Sequence, residues 1–280
     1  MILETPVADT NYPFLLREDH VRQVAKFLEG RFGINPFTGG NRLRIVVENQ
    51  LAELQPKSFD AYIYYLRKEG SSALNQLLDS ILIHETSFIR DPDQYASLTE
   101  FVIPDLHRRS QGKKMRFLSL GCSSGEEVYT LGIASRRVLG EKAGGRVEIT
   151  GYDLSPDVLQ IARRGNYDGF RLRDVNQDDK CQWFQEKGDH WEVKDELREG
   201  VQFFQQNLAD PLLPCGVDLI LCRNMLIYMS DDCRRTVFEA VHQSLLPHGY
   251  FLLGHSENAL GHRDLFKSRK LGNALVYQPI

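Results

Sequence analysis

Residues 115–130, MRFLSLGCSSGEEVYT, constrain the fold of this chain more than any other stretch. A short apolar run of strand length ends at Gly121, and after Gly125 the apolar residues recur with the period of a helix. This order of strand, glycine turn and helix is the first half of a βαβ unit. Glycines in the turn can adopt a positive φ and let a ligand approach bare backbone. The pattern predicts a ligand-binding turn, with a simple strand–helix connection as the alternative.

Two carboxylates, Glu126 and Glu127, stand at the start of the predicted helix. Negative charge suits the positive end of the helix dipole, but two carboxylates would repel a pyrophosphate. The dinucleotide fingerprint G-x-G-x-x-G also fails, because Ser123 and Glu126 stand where it needs glycine. The turn therefore favours an uncharged nucleoside that carries a cationic group. That description fits S-adenosylmethionine better than NAD.

Length and composition narrow the class of protein. The 280 residues allow one large or two modest domains, and 42% apolar with 26% charged residues is ordinary for a soluble protein. The net charge of −4 gives no general attraction to nucleic acid or to an anionic membrane. No apolar stretch approaches the ~20 residues of a membrane span, and the start of the chain has no signal-peptide pattern. The five cysteines are scattered, so we expect no metal site, no disulfide and a reducing cytoplasm.

Hydrophobic spacing divides the chain into two parts. Residues 1–85 carry amphipathic helical patterns and predict an N-terminal helical domain. In residues 86–280 strand-like runs alternate with helical patterns, which predicts an α/β domain with a doubly wound sheet and a ligand at the carboxyl ends of its strands. Within this domain, two short runs around Gly188 predict an antiparallel β-hairpin subdomain inserted at residues 166–200. The basic stretch 107–116 is expected to be a solvated loop, with an anion or partner patch as the alternative.

Polar residues at predicted strand ends are candidates for binding a nucleoside. Asp153 ends the second strand, where a carboxylate can accept both ribose hydroxyls. Its alternative role as a helix N-cap is already supplied by Ser155. Asn207 and Leu208 end the third strand, where the edge and face of an adenine would lie.

Three further candidates, Arg223, Asn224 and Tyr228, follow the fourth strand, beside the place expected for a reacting group. A buried arginine there needs an anionic partner. A substrate carboxylate is one option, and Glu126 or Glu127 is another.

Several short motifs follow one another along the chain: His84-x-Thr86-x-x-x-Arg90; Ser123-Ser124-Gly125-Glu126-Glu127 followed by Tyr129; Gly151-Tyr152-Asp153-Leu154-Ser155; Asn207-Leu208; Cys222-Arg223-Asn224-x-x-Ile227-Tyr228; and Gly254-His255-Ser256-Glu257. Together and in this order they resemble the CheR family of chemoreceptor glutamate methyltransferases. One such motif is weak support, but the ordered set is strong. The likeness covers nearly the whole chain, including the helical part and the inserted hairpin.

The resemblance implies a class I methyltransferase fold with S-adenosylmethionine as cofactor and S-adenosylhomocysteine as product. It implies methyl ester formation on glutamate side chains of a chemoreceptor's cytoplasmic signalling domain, by a cytoplasmic enzyme that is expected to be a monomer. By the same resemblance, Arg90 and Tyr228 are catalytic residues beside the transferred methyl group, and Glu127 is preferred to Glu126 as a cofactor ligand. The implied cofactor contacts are His84, Thr86, Arg90, Glu127, Asp153, Asn207, Leu208, Arg223 and Asn224.

One feature departs from the family, and two other functions compete. The segment 185–190 between the hairpin runs is shorter than in family members that tether to a receptor's C-terminal peptide, so we expect methylation without that tether. The first rival is a class I methyltransferase acting on RNA or a small molecule, which only the basic stretch supports. The second is an inactive nucleoside-sensing module, against which Arg90 and Tyr228 argue.

Overall fold

The structure is a computed structural model that describes residues 13–36, 42–68, 70–82, 85–140 and 143–280. The chain divides into two units, Met1–Ile83 and His84–Ile280. Within the described residues, no helix combines the length and the apolar character needed to cross a bilayer.

The first unit contains the helices α1 (Glu18–Phe32), α2 (Arg42–Leu54), α3 (Phe59–Arg67) and α4 (Ser72–Ile81). The hydroxyl oxygens of Ser58 and Ser71 cap α3 and α4, since they accept hydrogen bonds from the Ala61 and Leu74 N–H groups. The apolar stripe of each helix is buried in the core of this unit, which includes Val24, Leu28, Val47, Leu51, Leu66 and Leu77.

A buried polar chain links three of these helices. The Tyr62 hydroxyl donates to Gln50 Oε1 at 2.6 Å, and Gln50 Nε2 donates to the Ala73 carbonyl at 2.5 Å. Burial raises the pKa of Tyr62 well above its usual value, so the hydroxyl stays a donor. Every polar atom of the Gln50 amide thus has a partner in this core.

The second unit alternates strands and helices. Its strands are β1 (Met115–Leu120), β2 (Val147–Asp153), β3 (Asn166–Asp168), β4 (Phe184–Lys187), β5 (His190–Val193), β6 (Val201–Gln205), β7 (Val217–Cys222), β8 (Leu245–Leu253), β9 (Phe266–Leu271) and β10 (Ala274–Pro279). Its helices are α5 (Pro92–Ser97), α6 (Ile103–Ser110), α7 (Glu126–Leu139), α8 (Ala143–Arg146), α9 (Pro156–Arg164), α10 (Gln177–Trp183), α11 (Asp195–Arg198) and α12 (Asp231–Ser244).

The main sheet has the strand order β6-β2-β1-β7-β8-β10-β9. The first five strands are parallel, and β10 runs antiparallel to both of its neighbours. The chain winds outward from β1 to β2 and β6, then returns to place β7 on the other side of β1. Such a reversal opens a crevice at the carboxyl ends of the two central strands. The predicted α/β doubly wound fold is therefore confirmed, and a second, antiparallel sheet of order β3-β5-β4 is inserted in it.

The basic stretch 107–116 is the predicted solvated loop only at residues 111–114, since residues 107–110 belong to α6. A π-helical turn at Leu98–Val102 joins α5 to α6, and α6 continues to Ser110. Arg108 and Arg109 both pair with Asp105 on the same helix, which also accepts a hydrogen bond from the Tyr250 hydroxyl at 3.0 Å. For residues 107–110 the prediction was wrong, because i, i+3 and i, i+4 ion pairs favour another turn of helix. These paired arginines also remove support from the RNA alternative.

Other errors fall on weakly patterned segments. The first hairpin run begins as helix α10, capped by the Asn176 side chain, and only Phe184 onward is strand. Strand β8 begins at Leu245 and runs through His248 and Gly249, where the sequence pattern favours a turn. Strands β3 and β9 were not predicted, because one is short and the other is a largely exposed edge strand rich in lysine and arginine.

Candidate active site

The glycine turn after β1 adopts a backbone shape that few sequences allow. Gly121, Ser123 and Gly125 have φ values of 72°, 48° and 95°, all in the left-handed region. The Gly121 and Cys122 N–H groups both donate to the Tyr152 carbonyl, at 2.8 and 2.9 Å. The turn is therefore fixed against the end of β2 before any ligand arrives.

The two glycines are required by packing as well as by φ. A Cβ on Gly121 would lie 2.9 Å from Met225 Sδ, and one on Gly125 would lie 2.8 Å from the Ala162 Cβ. The sequence analysis predicted that a ligand would approach the backbone at these two glycines. In the structure the space beside each is filled by another side chain of the protein.

Asp153 lies at the carboxyl end of β2, beside the glycine turn. Its Oδ2 accepts the Ser123 N–H at 2.8 Å, and its Oδ1 accepts the Ser155 N–H at 3.0 Å. Ser155 caps α9 through its own hydroxyl, as the sequence predicted. Asp153 thus ties the turn to the start of α9, a structural duty that the sequence did not reveal.

Of the two adjacent acids, Glu127 faces the crevice. Its Oε2 lies 3.2 Å from Arg223 Nη1, and its Oε1 accepts the Ser119 hydroxyl at 2.7 Å. Burial raises the pKa of Glu127, while the charge of Arg223 and these hydrogen bonds oppose the rise. Of the two acids offered as the anionic partner of Arg223, the structure pairs it with Glu127, and Asp91 Oδ2 lies 3.9 Å from the same guanidinium.

Glu126 is fully buried and is held by the inserted region. It accepts hydrogen bonds from the Ser124 hydroxyl, and it pairs with Arg171, which follows β3. The Tyr167 hydroxyl on β3 donates to the Ser124 carbonyl at 2.7 Å. Burial raises the pKa of Glu126, and the charge of Arg171 opposes this. Nothing in the local sequence identified Arg171, because it lies 45 residues from Glu126.

The segment before α5 carries Thr86 and Arg90. It is anchored by the Phe88 N–H, which donates to the Arg171 carbonyl at 3.1 Å, and by the Ile89 N–H, which donates to Thr130 Oγ1 at 3.2 Å. Thr86 is half-buried, and the exposed Arg90 donates through Nη1 to the Glu85 carbonyl at 2.9 Å. His84, the first predicted contact, lies outside the described residues.

The loops after β6 and β7 carry the other predicted residues. Asn207 Oδ1 accepts the Ala209 N–H at 3.1 Å, and Leu208 is buried. Asn224 has a φ of 58°, and Tyr228 ends a 3-10 turn and is half-buried. All of them follow the carboxyl ends of parallel strands, at the same edge as the Glu127–Arg223 pair.

Comparison with known proteins gives consistent matches. A family model described as "CheR methyltransferase, SAM binding domain" matches residues 84–274. The chain is 32% identical over 268 residues to chemotaxis protein methyltransferase Cher2 of Pseudomonas putida, covering 91% of this chain and 96% of that protein. It is 31% identical over 262 residues to chemotaxis protein methyltransferase 1 of Pseudomonas aeruginosa, covering 90% and 94%. It is 30% identical over 262 residues to the chemotaxis protein methyltransferase of Borreliella burgdorferi, covering 89% and 92%.

Proposed function

Because the chain belongs to the CheR methyltransferase family, we propose that it methylates glutamate side chains on the cytoplasmic signalling domain of a chemoreceptor. The chain is an S-adenosylmethionine-dependent methyltransferase of chemotaxis. Three points are proposals: the glutamate acceptor, the cytoplasmic location and a role in chemosensory adaptation. The names of the relatives support them, and so does the chemistry of Arg90 and Tyr228, whose guanidinium and phenol could both donate to a carboxylate acceptor.

The observation that carries the proposal is the Glu127–Arg223 pair in the crevice between β1 and β7. Glu127 offers a carboxylate to the ammonium group of S-adenosylmethionine, since a carboxylate has about four lone-pair sites and two are used by protein donors. Arg223 Nε is buried and has no hydrogen-bond partner among the described residues, so it offers a donor to the cofactor's carboxylate. The donor set therefore fits the charged end of this cofactor.

The other proposed cofactor contacts are assigned to the ribose and the adenine of the nucleoside. Asp153 would accept the ribose hydroxyls, and Asn207 with Leu208 would meet the adenine. Thr86, Arg90 and Asn224 complete the described part of the proposed set. His84 is assigned by the resemblance alone, because it lies outside the described residues.

The proposed chemistry asks for alignment more than for proton transfer. S-adenosylmethionine supplies an electrophilic methyl group on a sulfonium. The acceptor carboxylate is already ionised at neutral pH, so its oxygen attacks the methyl carbon in line while the carbon–sulfur bond breaks, and no general base is required. Arg90 holds one carboxylate oxygen and the Tyr228 hydroxyl donates to the same group, which leaves the other oxygen free to attack.

Helix α2 is the proposed reader of the receptor helix. Arg42 is exposed, and its Nε donates to the Ser80 carbonyl at 3.0 Å. Arg44 is half-buried and pairs with Glu18 at 2.7 Å and with Glu48 at 3.3 Å, so much of its charge is already compensated. Ile45, which follows Arg44, is 55% exposed. An outward apolar side chain beside a cation suits a helix that is rich in glutamate.

A methyl-transfer assay tests this function directly. Radiolabelled S-adenosylmethionine is incubated with the protein and a receptor signalling domain, and a domain with its acceptor glutamates changed to alanine is the control. We expect label on the unaltered domain only, released as methanol by mild base because carboxyl methyl esters hydrolyse easily. Base-stable label on RNA or on a small molecule would instead favour the first rival. Cofactor binding without transfer to these acceptors would favour the inactive module.

A further inference from the structure

We propose that Glu257 is a positioning residue for methyl transfer, because its carboxylate holds the loop that follows β7. That loop carries Asn224 at one end and Tyr228 at the other. The inference rests on the proposed function, since these two residues take their roles from it. The hydrogen bonds that its carboxylate accepts come from backbone N–H groups, so Glu257 would act through the residues that it places.

Three backbone N–H groups converge on this carboxylate. Glu257 Oε2 accepts the Asn224 N–H at 2.7 Å and the Gly254 N–H at 2.9 Å. Glu257 Oε1 accepts the Ile227 N–H at 3.3 Å. One side chain therefore joins the loop after β7 to the end of β8. Because the acceptor is ionised, these are charge-assisted hydrogen bonds, which are stronger than neutral ones.

The surrounding backbone is shaped for this contact. A Cβ on Gly254 would lie 2.7 Å from Glu257 Oε2 and 2.8 Å from the Asn224 nitrogen, so only glycine leaves room for the carboxylate. Asn224 has a φ of 58°, a left-handed conformation that asparagine adopts more readily than other residues with a Cβ. The bond from the Asn224 N–H to Glu257 stabilises the loop in this conformation.

The opposite side of the loop is fixed by packing. Met225 lies against Gly121 of the glycine turn, close enough that a Cβ there would clash with it. The loop is thus held on one side by the packing of its own Met225 against the glycine turn and on the other side by Glu257, which follows β8. Catalysis by alignment is sensitive to such clamps, since a shift of about 1 Å in a reacting group can cost about 100-fold in rate.

The geometry allows a substitution that separates the two ends of the loop. In Glu257→Gln the carbonyl oxygen can keep the Oε2 position, where two N–H groups donate. The amide nitrogen must then face the Ile227 N–H, so one bond is replaced by a donor facing a donor. We expect kcat to fall about tenfold through Tyr228, while the affinity for S-adenosylhomocysteine stays within about twofold of wild type.

The alanine variant removes the whole contact. Glu257→Ala should lower kcat about 100-fold and the affinity for S-adenosylhomocysteine about tenfold, because the bond that holds Asn224 is lost as well. Glu239→Gln is the matched control. Glu239 lies on the surface of α12 and pairs with Arg235 at 2.6 Å, so its loss removes a carboxylate without touching the loop. Thermal unfolding of all three variants accompanies the kinetic and calorimetric measurements.

The kcat values and product affinities of the two variants together test the positioning role of Glu257. A drop in kcat for Glu257→Gln with unchanged product affinity supports the inference, because general destabilisation would not separate these quantities. Wild-type kcat in Glu257→Gln together with wild-type affinity in Glu257→Ala would overturn it. If the wild-type protein itself methylates no receptor glutamate, the proposed function fails instead. The affinity of Glu257→Ala for S-adenosylhomocysteine then still tests the hold on Asn224.

Discussion

Glu127 on the first turn of α7 and Arg223 at the end of β7 form an ion pair across the central strands, with Oε2 3.2 Å from Nη1. Their side chains are only 14% and 11% exposed, so the pair is nearly desolvated. The pair holds a carboxylate and a guanidinium side by side, which matches a ligand that carries an ammonium and a carboxylate on one carbon.

The affinity for S-adenosylmethionine should therefore depend on pH through Glu127. Burial outweighs Arg223 and holds the pKa of Glu127 above its ordinary value, and the cofactor's ammonium attracts only the ionised form. As the pH falls through this raised pKa the carboxylate is protonated, and affinity should fall by up to about tenfold per pH unit. In Glu127→Gln affinity at neutral pH should be about 10- to 100-fold lower and nearly independent of pH. Calorimetry over a pH series measures both, and the same slope in the variant would exclude Glu127 as the titrating group.

Asp153 should contribute to cofactor binding in two ways, because it is proposed to accept the ribose hydroxyls and because it holds the glycine turn. Asp153→Ala removes the acceptors of the Ser123 and Ser155 N–H groups as well as the proposed ribose contact, so the affinity for S-adenosylmethionine should fall at least severalfold. Asp157→Asn, an exposed acid in the first turn of α9, is the control and should bind normally. Unchanged calorimetric affinity in Asp153→Ala would remove this residue from the site.

Substitutions of Tyr228 and Arg90 should have different effects on kcat and on cofactor affinity. Tyr228→Phe deletes only a hydroxyl that is expected near the acceptor, so kcat should fall about 10- to 100-fold with cofactor affinity nearly intact. Arg90→Ala should lower both quantities, because Arg90 is expected to contact the cofactor as well. Steady-state methylation and calorimetry on the same preparations provide the comparison. Full activity in Tyr228→Phe would mean that the hydroxyl is dispensable.

Receptor docking should depend on Arg42 more than on Arg44. Arg42→Glu places a negative charge on the exposed face of α2, where an exposed pair is worth about 0.2–1 kcal/mol, so KM for the receptor should rise severalfold. Arg44→Glu should be less stable, because it sets a new acid beside Glu18 and Glu48. Methylation at low and high salt checks this, since screening should shrink the effect of Arg42→Glu. A silent Arg42→Glu at low salt would mean that docking uses another face.

The buried chain in the helical unit should contribute to its stability. Tyr62→Phe leaves Gln50 Oε1 without its donor in the core, which should lower the free energy of unfolding by about 1–3 kcal/mol. Adding Gln50→Leu removes the orphaned carbonyl, so the double variant should lose less than the sum of the single losses. Denaturant unfolding of the four proteins provides the cycle. Strict additivity would show that the two residues do not act as a pair.

Local features of this protein were predictable from sequence, whereas contacts between distant segments were not. Ser155 caps α9 as predicted, and Ser58 and Asp91 cap α3 and α5 in the same way, because a cap depends on residues within one turn. The all-buried strand β7 was likewise visible as an apolar run. The difference between Glu126 and Glu127 was not visible, because it depends on which arginine folds back to each.

The same limit applies to the loop after β7. Its motif was recognised, but the role of Glu257 required three donors from two separate strand ends to meet at one carboxylate. The sequence also did not predict where the helical segment through Leu98–Val102 ends, because ion pairs to Asp105 extend the helix beyond its last apolar residue.

The ties from the inserted region to the glycine turn also bear on the order of folding. The bonds from Tyr167 and Arg171 to Ser124 span 43 and 47 residues of sequence. A nascent chain that has completed only β1 and α7 lacks both partners, so its turn cannot yet be locked. Long closures of this kind delay native contacts until the later segment is available. Residues 85–200 should accordingly gain protection from hydrogen exchange together, and a chain that lost the insertion would keep the bonds from its glycine turn to Tyr152 and Asp153 but lose those from Tyr167 and Arg171.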